Sequence, residues 1–227
     1  MTHLDTELKQ LKTDLIEMWT LVINQLSKSR EALAEFDKEL TSEVFALEKQ
    51  VDAFELKLNT DCENILALFN PLANDLRLVL AVMRINYDLE RIGDYARSIA
   101  RMVSEAEKHV DEDILKKTQV FEMFDVAINM LTIGLESFEK EDNSNIRKIF
   151  KKDELLDKVN KDANEIVARL IRKKPSEIES CLNVYTTVRR LERVGDQTKN
   201  IAEEIIFYLE AKVLRHKKKK EKIEELK

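Results

Sequence analysis

Apolar residues recur every three or four positions along almost the whole chain. Leu4, Leu8, Leu11, Leu15, Met18, Val22 and Gln25/Leu26 form one stripe. Val44, Leu47, Val51, Phe54, Leu58, Cys62, Ile65 and Phe69 form a second, and Leu78, Val82, Ile85, Leu89, Ile92, Ala96, Ile99 and Val103 a third. Asn70-Pro71 separates the second from the third, because proline cannot continue a helix but can start one. The pattern then restarts. Val120, Phe124, Ala127, Leu131, Leu135 and Phe138 give a fourth stripe, and Ile149, Leu156, Val159, Ala163, Val167 and Leu170 a fifth. Lys174-Pro175 closes the fifth, and Leu182, Thr187, Leu191, Val194, Thr198, Ile201 and Ile205 make the sixth. Each stripe predicts a helix of roughly 25–35 residues, about 40–50 Å long. Such helices are not stable alone and must bundle. The expected fold is all-α: six long helices in two tandem three-helix bundles. The stripe breaks at HVDED, His109 to Asp113, so the expected repeats are 1–109 and 110–227.

The two halves share more than periodicity. LERIGDYARSIA, starting at Leu89, returns as LERVGDQTKNIA, starting at Leu191, 102 residues later with seven of twelve positions identical. Two of the chain's three glycines, Gly93 and Gly195, occupy the same place in the two copies. Upstream, Glu48 and Asp52 correspond to Asp153 and Asp157, 105 residues later. The connection before the second motif is therefore three residues shorter, in keeping with the terse Arg172 to Pro175 stretch.

Composition narrows the function. Charged residues make up 36% and Gly plus Pro only five residues, which favours long helices with few turns. A net charge of −6 argues against nucleic acid as the chain's partner. No apolar run reaches the roughly 18–20 residues of a membrane span, and MTHLDTELKQ has neither the basic start nor the apolar core of a signal peptide. A cytoplasmic protein, at most peripherally associated with membrane, is expected. Cys62 and Cys181 have no partners at metal spacing and read as reduced core thiols. No phosphate-binding glycine loop, nucleophile–base set or HExxH is present, so the chain is not expected to be an enzyme.

The acidic pairs remain. Glu90 and Asp94, like Glu192 and Asp196, are four apart on a helix, where like charges are neighbours and repel. On a helical wheel of the third helix Glu90 lies ~100° and Asp94 ~140° from Leu89, at the rim of a second apolar face. Glu48 and Asp52 flank the stripe of the second helix. Packing of the second helix on the third would bring together Glu48, Asp52, Glu90 and Asp94; the second half would assemble Asp153, Asp157, Glu192 and Asp196. All-oxygen clusters suit hard cations: iron, manganese, magnesium or calcium. Gly93 between the faces costs ~1 kcal/mol of helix stability and makes room for a close approach. The competing account is ordinary i,i+3 ion pairing, with Arg97 and Arg101 near Asp94, Lys199 after Asp196 and Arg189 before Glu192. A di-iron bundle of the ferritin kind would need Glu-x-x-His pairs, and His3, His109 and His216 lie in no such motif. The basic run Lys217 to Lys220 reads as a solvated helix end or as a contact for an acidic partner or anionic lipid.

At these motifs the chain resembles the PhoU family of phosphate-uptake regulators. The resemblance rests on Asn70-Pro71-Leu72-Ala73-Asn74-Asp75-Leu76-Arg77, similar to the family's P-x-A-x-D-L-R, and on the two LER[IV]GD copies, each followed by Ile-Ala. It covers nearly the whole chain. Two departures stand out: Ser98 replaces the commoner Asn, and Lys174-Pro175-Ser176-Glu177 lacks the D-L-R ending. The resemblance implies two pseudo-symmetric three-helix bundles and surface acidic motifs able to hold multinuclear metal clusters. It also implies negative control of phosphate-starvation signalling, through contact with the phosphate ABC transporter's ATPase and a sensor histidine kinase. A homodimer is expected, since the family is often dimeric and Ile16, Trp19 and Ile23 are apolar outside the main stripe. The alternatives are a structural scaffold whose acids are surface decoration, or a regulator of a different phosphate permease with no metal role.

Overall fold

The computed structural model describes residues 2–214. Among these, seven α-helices form and no strand: α1 (His3–Glu35), α2 (Lys38–Phe69), α3 (Ala73–Glu105), α4 (Glu112–Lys117), α5 (Val120–Glu139), α6 (Arg147–Lys173) and α7 (Ile178–Glu210). Each of the six stripes is one long helix. The caps explain the borders. Thr2 and Asp5 form a reciprocal capping box at the start of α1, and Asp37 accepts from the Glu39 and Leu40 N–H groups at the start of α2. Asn70 ends α2 in the left-handed region, φ 47°, just before Pro71. Pro175 opens a 3-10 turn, Pro175–Glu177, that leads into α7.

Two elements depart from the periodicity. The short α4 occupies the break at HVDED, where the Asp111 side chain accepts from the Asp113 N–H at 2.8 Å and caps a single turn and a half. Helix α5 has 20 residues, fewer than expected. It stops because Glu141 takes φ 52° and Asp142 then folds back to accept from the N–H and the hydroxyl of Ser144.

Helices α1–α3 pack on one another as one bundle and α5–α7 as a second; α3 against α7 and α1 against α5 join them. The core is continuous across both, from Leu15, Val51 and Leu89 in the first to Phe124, Phe150 and Leu191 in the second. Trp19 shows how the seam is made. Its indole is fully buried beside Phe138 of α5. It lies on Gly134, where a Cβ would stand 2.9 Å from the ring. Ile16 and Ile23 are half-buried against the same core. Of the three residues that suggested a dimer surface, Trp19 is thus used wholly within the chain and Ile16 and Ile23 in part. Ion pairs line the seam: Arg30–Asp125 and Arg84–Glu204, both at 2.8 Å, and Lys12 with Glu141, which also accepts from the Tyr208 hydroxyl.

Cys62 and Cys181 are free and buried, and burial pushes the Cys62 thiol up to about 12. Among the described residues no helix is long and apolar enough to cross a membrane. The basic run Lys217 to Lys220 lies outside the described residues.

Candidate functional site

In the first half the acids of α2 and α3 meet. Glu48, Asp52 and Asp94 line one solvent-open groove, with Lys49, Arg97 and Arg101 along it. Asp52 and Asp94 are exposed and Glu90 is half-buried, whereas Glu48 is only 5% exposed. Gln25 of α1 reaches Glu48 from below, its Nε2 donating to Oε2 at 2.6 Å. Gln25 is itself fully buried, and its Oε1 has no hydrogen-bond partner. Gly93 makes the arrangement possible: a Cβ there would lie 2.9 Å from Gln25 Oε1 and 3.3 Å from Glu48 Oε2.

The charges are poorly compensated. Burial pushes the Glu48 carboxyl up to about 7; the Gln25 hydrogen bond opposes this, and the Asp94 and Asp52 carboxylates reinforce it. Burial also raises Glu90, helped by Asp94, Glu55 and Asp52 and opposed by Arg91. Among the described residues, no ion pair within 4.0 Å joins Glu48, Asp52, Glu90 or Asp94 to a basic side chain.

The second half is built alike and neutralised differently. Asp153 of α6 is fully buried, and a Cβ on Gly195 would lie 3.0 Å from its Oδ1. Lys199 of α7 places Nζ 2.7 Å from Asp153 Oδ2 and 2.7 Å from Asp196 Oδ1. Burial pulls the Lys199 ammonium down, but its bonds to Asp153 and Asp196 outweigh that and hold it above the ordinary lysine range. Glu192 is raised by burial, then by Asp196 and Asp157, with Lys199 and Arg193 opposing.

The acids of the paired helices thus lie near one another in each half: Glu48, Asp52 and Asp94 share the first groove, and Lys199 links Asp153 to Asp196 in the second. Glu48, expected beside the apolar stripe of its helix, is instead buried, and so is its counterpart Asp153. Both sink into the bundle because a glycine on the facing helix leaves room for the carboxylate. The ion-pair account holds at one place, Lys199 with Asp196. Arg97, 102 residues before Lys199, makes no such pair with Asp94. Gln25 was legible only as a polar residue interrupting an apolar stripe; its partnership with Glu48 was not.

Among the described residues, no three His, Cys, Asp or Glu groups stand ready around one point to hold a metal ion. The donor sets of the two halves nevertheless differ in their fitness for one. The first offers carboxylates that lack a cation, beside a buried amide oxygen that lacks a hydrogen. The second already holds an ammonium between its buried acid and its motif acid.

Fold and site together define a class: a duplicated three-helix-bundle protein with one acidic, glycine-backed motif per half. The chain belongs to the PhoU family, whose domain model matches residues 15–103 and again 120–205. It is 30% identical over 212 residues to the phosphate-specific transport system accessory protein PhoU homolog of Pseudomonas putida, covering 93% of this chain and 82% of that one. The Escherichia coli K12 accessory protein PhoU is also 30% identical, over 93% of this chain and 87% of its own length. Among solved structures, PhoU from Pseudomonas aeruginosa matches with a TM-score of 0.83 at 27% identity, over 92% of this chain and 99% of that one. The phosphate transport system regulatory protein PhoU from Streptococcus pneumoniae matches with a TM-score of 0.79 at 25% identity, over 93% and 99%.

Proposed function

We propose that this chain is an accessory regulator of phosphate transport that restrains uptake and phosphate-starvation signalling by binding other proteins. The family match across both halves supports this most strongly, since the relatives are named as accessory proteins of phosphate-specific transport systems. The chemistry is in keeping. The motif sites hold carboxylates, an amide and one lysine held as an ammonium between two aspartates, groups suited to binding cations and basic partners. The proposed partners are the phosphate ABC transporter's ATPase and a sensor histidine kinase.

The first-half groove is the proposed docking and cation site. Glu48, Asp52, Glu90 and Asp94 would hold a hard cation such as iron, manganese, magnesium or calcium, which would supply positive charge to a carboxylate cluster that otherwise repels itself. The exposed pair would also meet a basic patch on a partner directly.

The test is a pull-down of the full chain with the transporter ATPase. Wild type should retain the ATPase. Reversing charge at Glu90 and Asp94 should weaken retention at least tenfold while the circular dichroism melt stays within a few degrees. If the variant unfolds, or binds as well as wild type, the acids are structural.

A further inference from the structure

We infer that Lys199 is a built-in cation that keeps metal out of the second acidic site, so that only the first half of the molecule takes up a metal ion. The inference rests in part on the metal reading of the first half. Its own basis is the placement of Lys199. A hard cation binds carboxylate oxygens at about 2.0–2.6 Å, and Lys199 Nζ already stands 2.7 Å from one oxygen of Asp153 and one of Asp196. A second cation among the same oxygens would sit within a few ångströms of the ammonium, in a partly buried site where that repulsion is weakly screened. Displacing the ammonium would also leave a positive charge to be rehoused from a position that is only 21% exposed.

The first half lacks this device. Arg97 occupies the equivalent position and lines the groove, yet makes no ion pair with Glu48 or Asp94. Instead the fully buried Gln25 presents an oxygen without a hydrogen-bond partner beside Glu48, against Gly93. One site is self-neutralised and the other depends on solution cations. The duplicated protein is thereby made asymmetric: cation availability can act on α2 and α3 without acting on α6 and α7.

The experiment is Mn²⁺ titration of the full chain, read by the electron paramagnetic resonance signal of free Mn²⁺ and by the melting temperature. Glu48→Gln and Asp94→Asn should each weaken Mn²⁺ binding tenfold or more, whereas Asp196→Asn should leave it within twofold of wild type. Lys199→Met should gain a second set of Mn²⁺ sites, and Mn²⁺ should raise its melting temperature more than that of wild type. If Lys199→Met fails to fold, Lys199→Gln, whose amide can still donate to Asp153, takes its place. Loss of Mn²⁺ binding in Asp196→Asn comparable to that in Asp94→Asn overturns the inference. So does a folded Lys199 variant with no added site. A wild type that binds no Mn²⁺ refutes the metal reading of the first half, while the Lys199 variants still decide the role of this lysine.

Discussion

Glu48 is a carboxyl group placed where ionisation is costly, and it should make the metal-free protein sensitive to pH. Its folded pKa, about 7, lies above the ordinary value of 4.5. Between those values the folded chain keeps a proton that the unfolded chain releases, so stability falls as pH rises through that window and levels off above it. Glu90 and Glu192 are shifted in the same direction and add to the slope. Denaturant unfolding of metal-free protein should show a loss on the order of 2 kcal/mol between pH 5 and pH 8. Glu48→Gln should remove most of that loss and be the more stable protein at pH 8. The glycines give a second contrast. Alanine favours a helix by ~1 kcal/mol, but a Cβ at 195 would stand 2.5 Å from Leu156 Cδ1 and crowd an aspartate that Lys199 holds in place. A Cβ at 93 would meet the ends of two longer side chains. Gly195→Ala should therefore destabilise by about 1–2 kcal/mol in thermal melts and Gly93→Ala by less. The acid spacing and the paired glycines were readable from the chain alone. The contrast between Lys199 and Arg97 was not, because four basic residues stood at comparable spacings and only packing decides which one reaches a buried carboxylate.

The helices themselves follow from the apolar spacing, and their borders from residues with known capping chemistry such as Thr2, Asp37 and Asn70. Periodicity does not show which surplus apolar residue meets which neighbour. Trp19 lies outside its stripe, and its destination on α5 depends on Gly134, 115 positions away in sequence. Nor does periodicity reveal a six-residue helix such as α4, whose one turn and a half is too short to display a period. The Trp19 contact fixes α1 on α5. Trp19→Ala should cost about 3–5 kcal/mol in equilibrium unfolding, the range for emptying a fully buried aromatic site. Gly134→Val should be comparably damaging, because the indole ring it would strike cannot bend away. A loss below 1 kcal/mol for both would mean that α1 and α5 are joined mainly by the Arg30–Asp125 pair and its neighbours.

At the scale of the whole molecule, duplication supplies two similar bundles and Lys199 makes them chemically unequal. The family match spans both halves, and the role proposed above is exerted through contact with other proteins. Its central claim is that this chain restrains the phosphate response through the acidic groove of its first half. The most direct measurement is a phosphate-starvation reporter in phosphate-replete cells that lack the chain, complemented with wild type or with a variant carrying Asp52→Asn and Asp94→Asn at matched protein levels. The account predicts that the reporter is switched on without the chain, silenced by wild type, and left at least half on by the variant. Full silencing by the variant, or a reporter that stays off when the chain is absent, would contradict it.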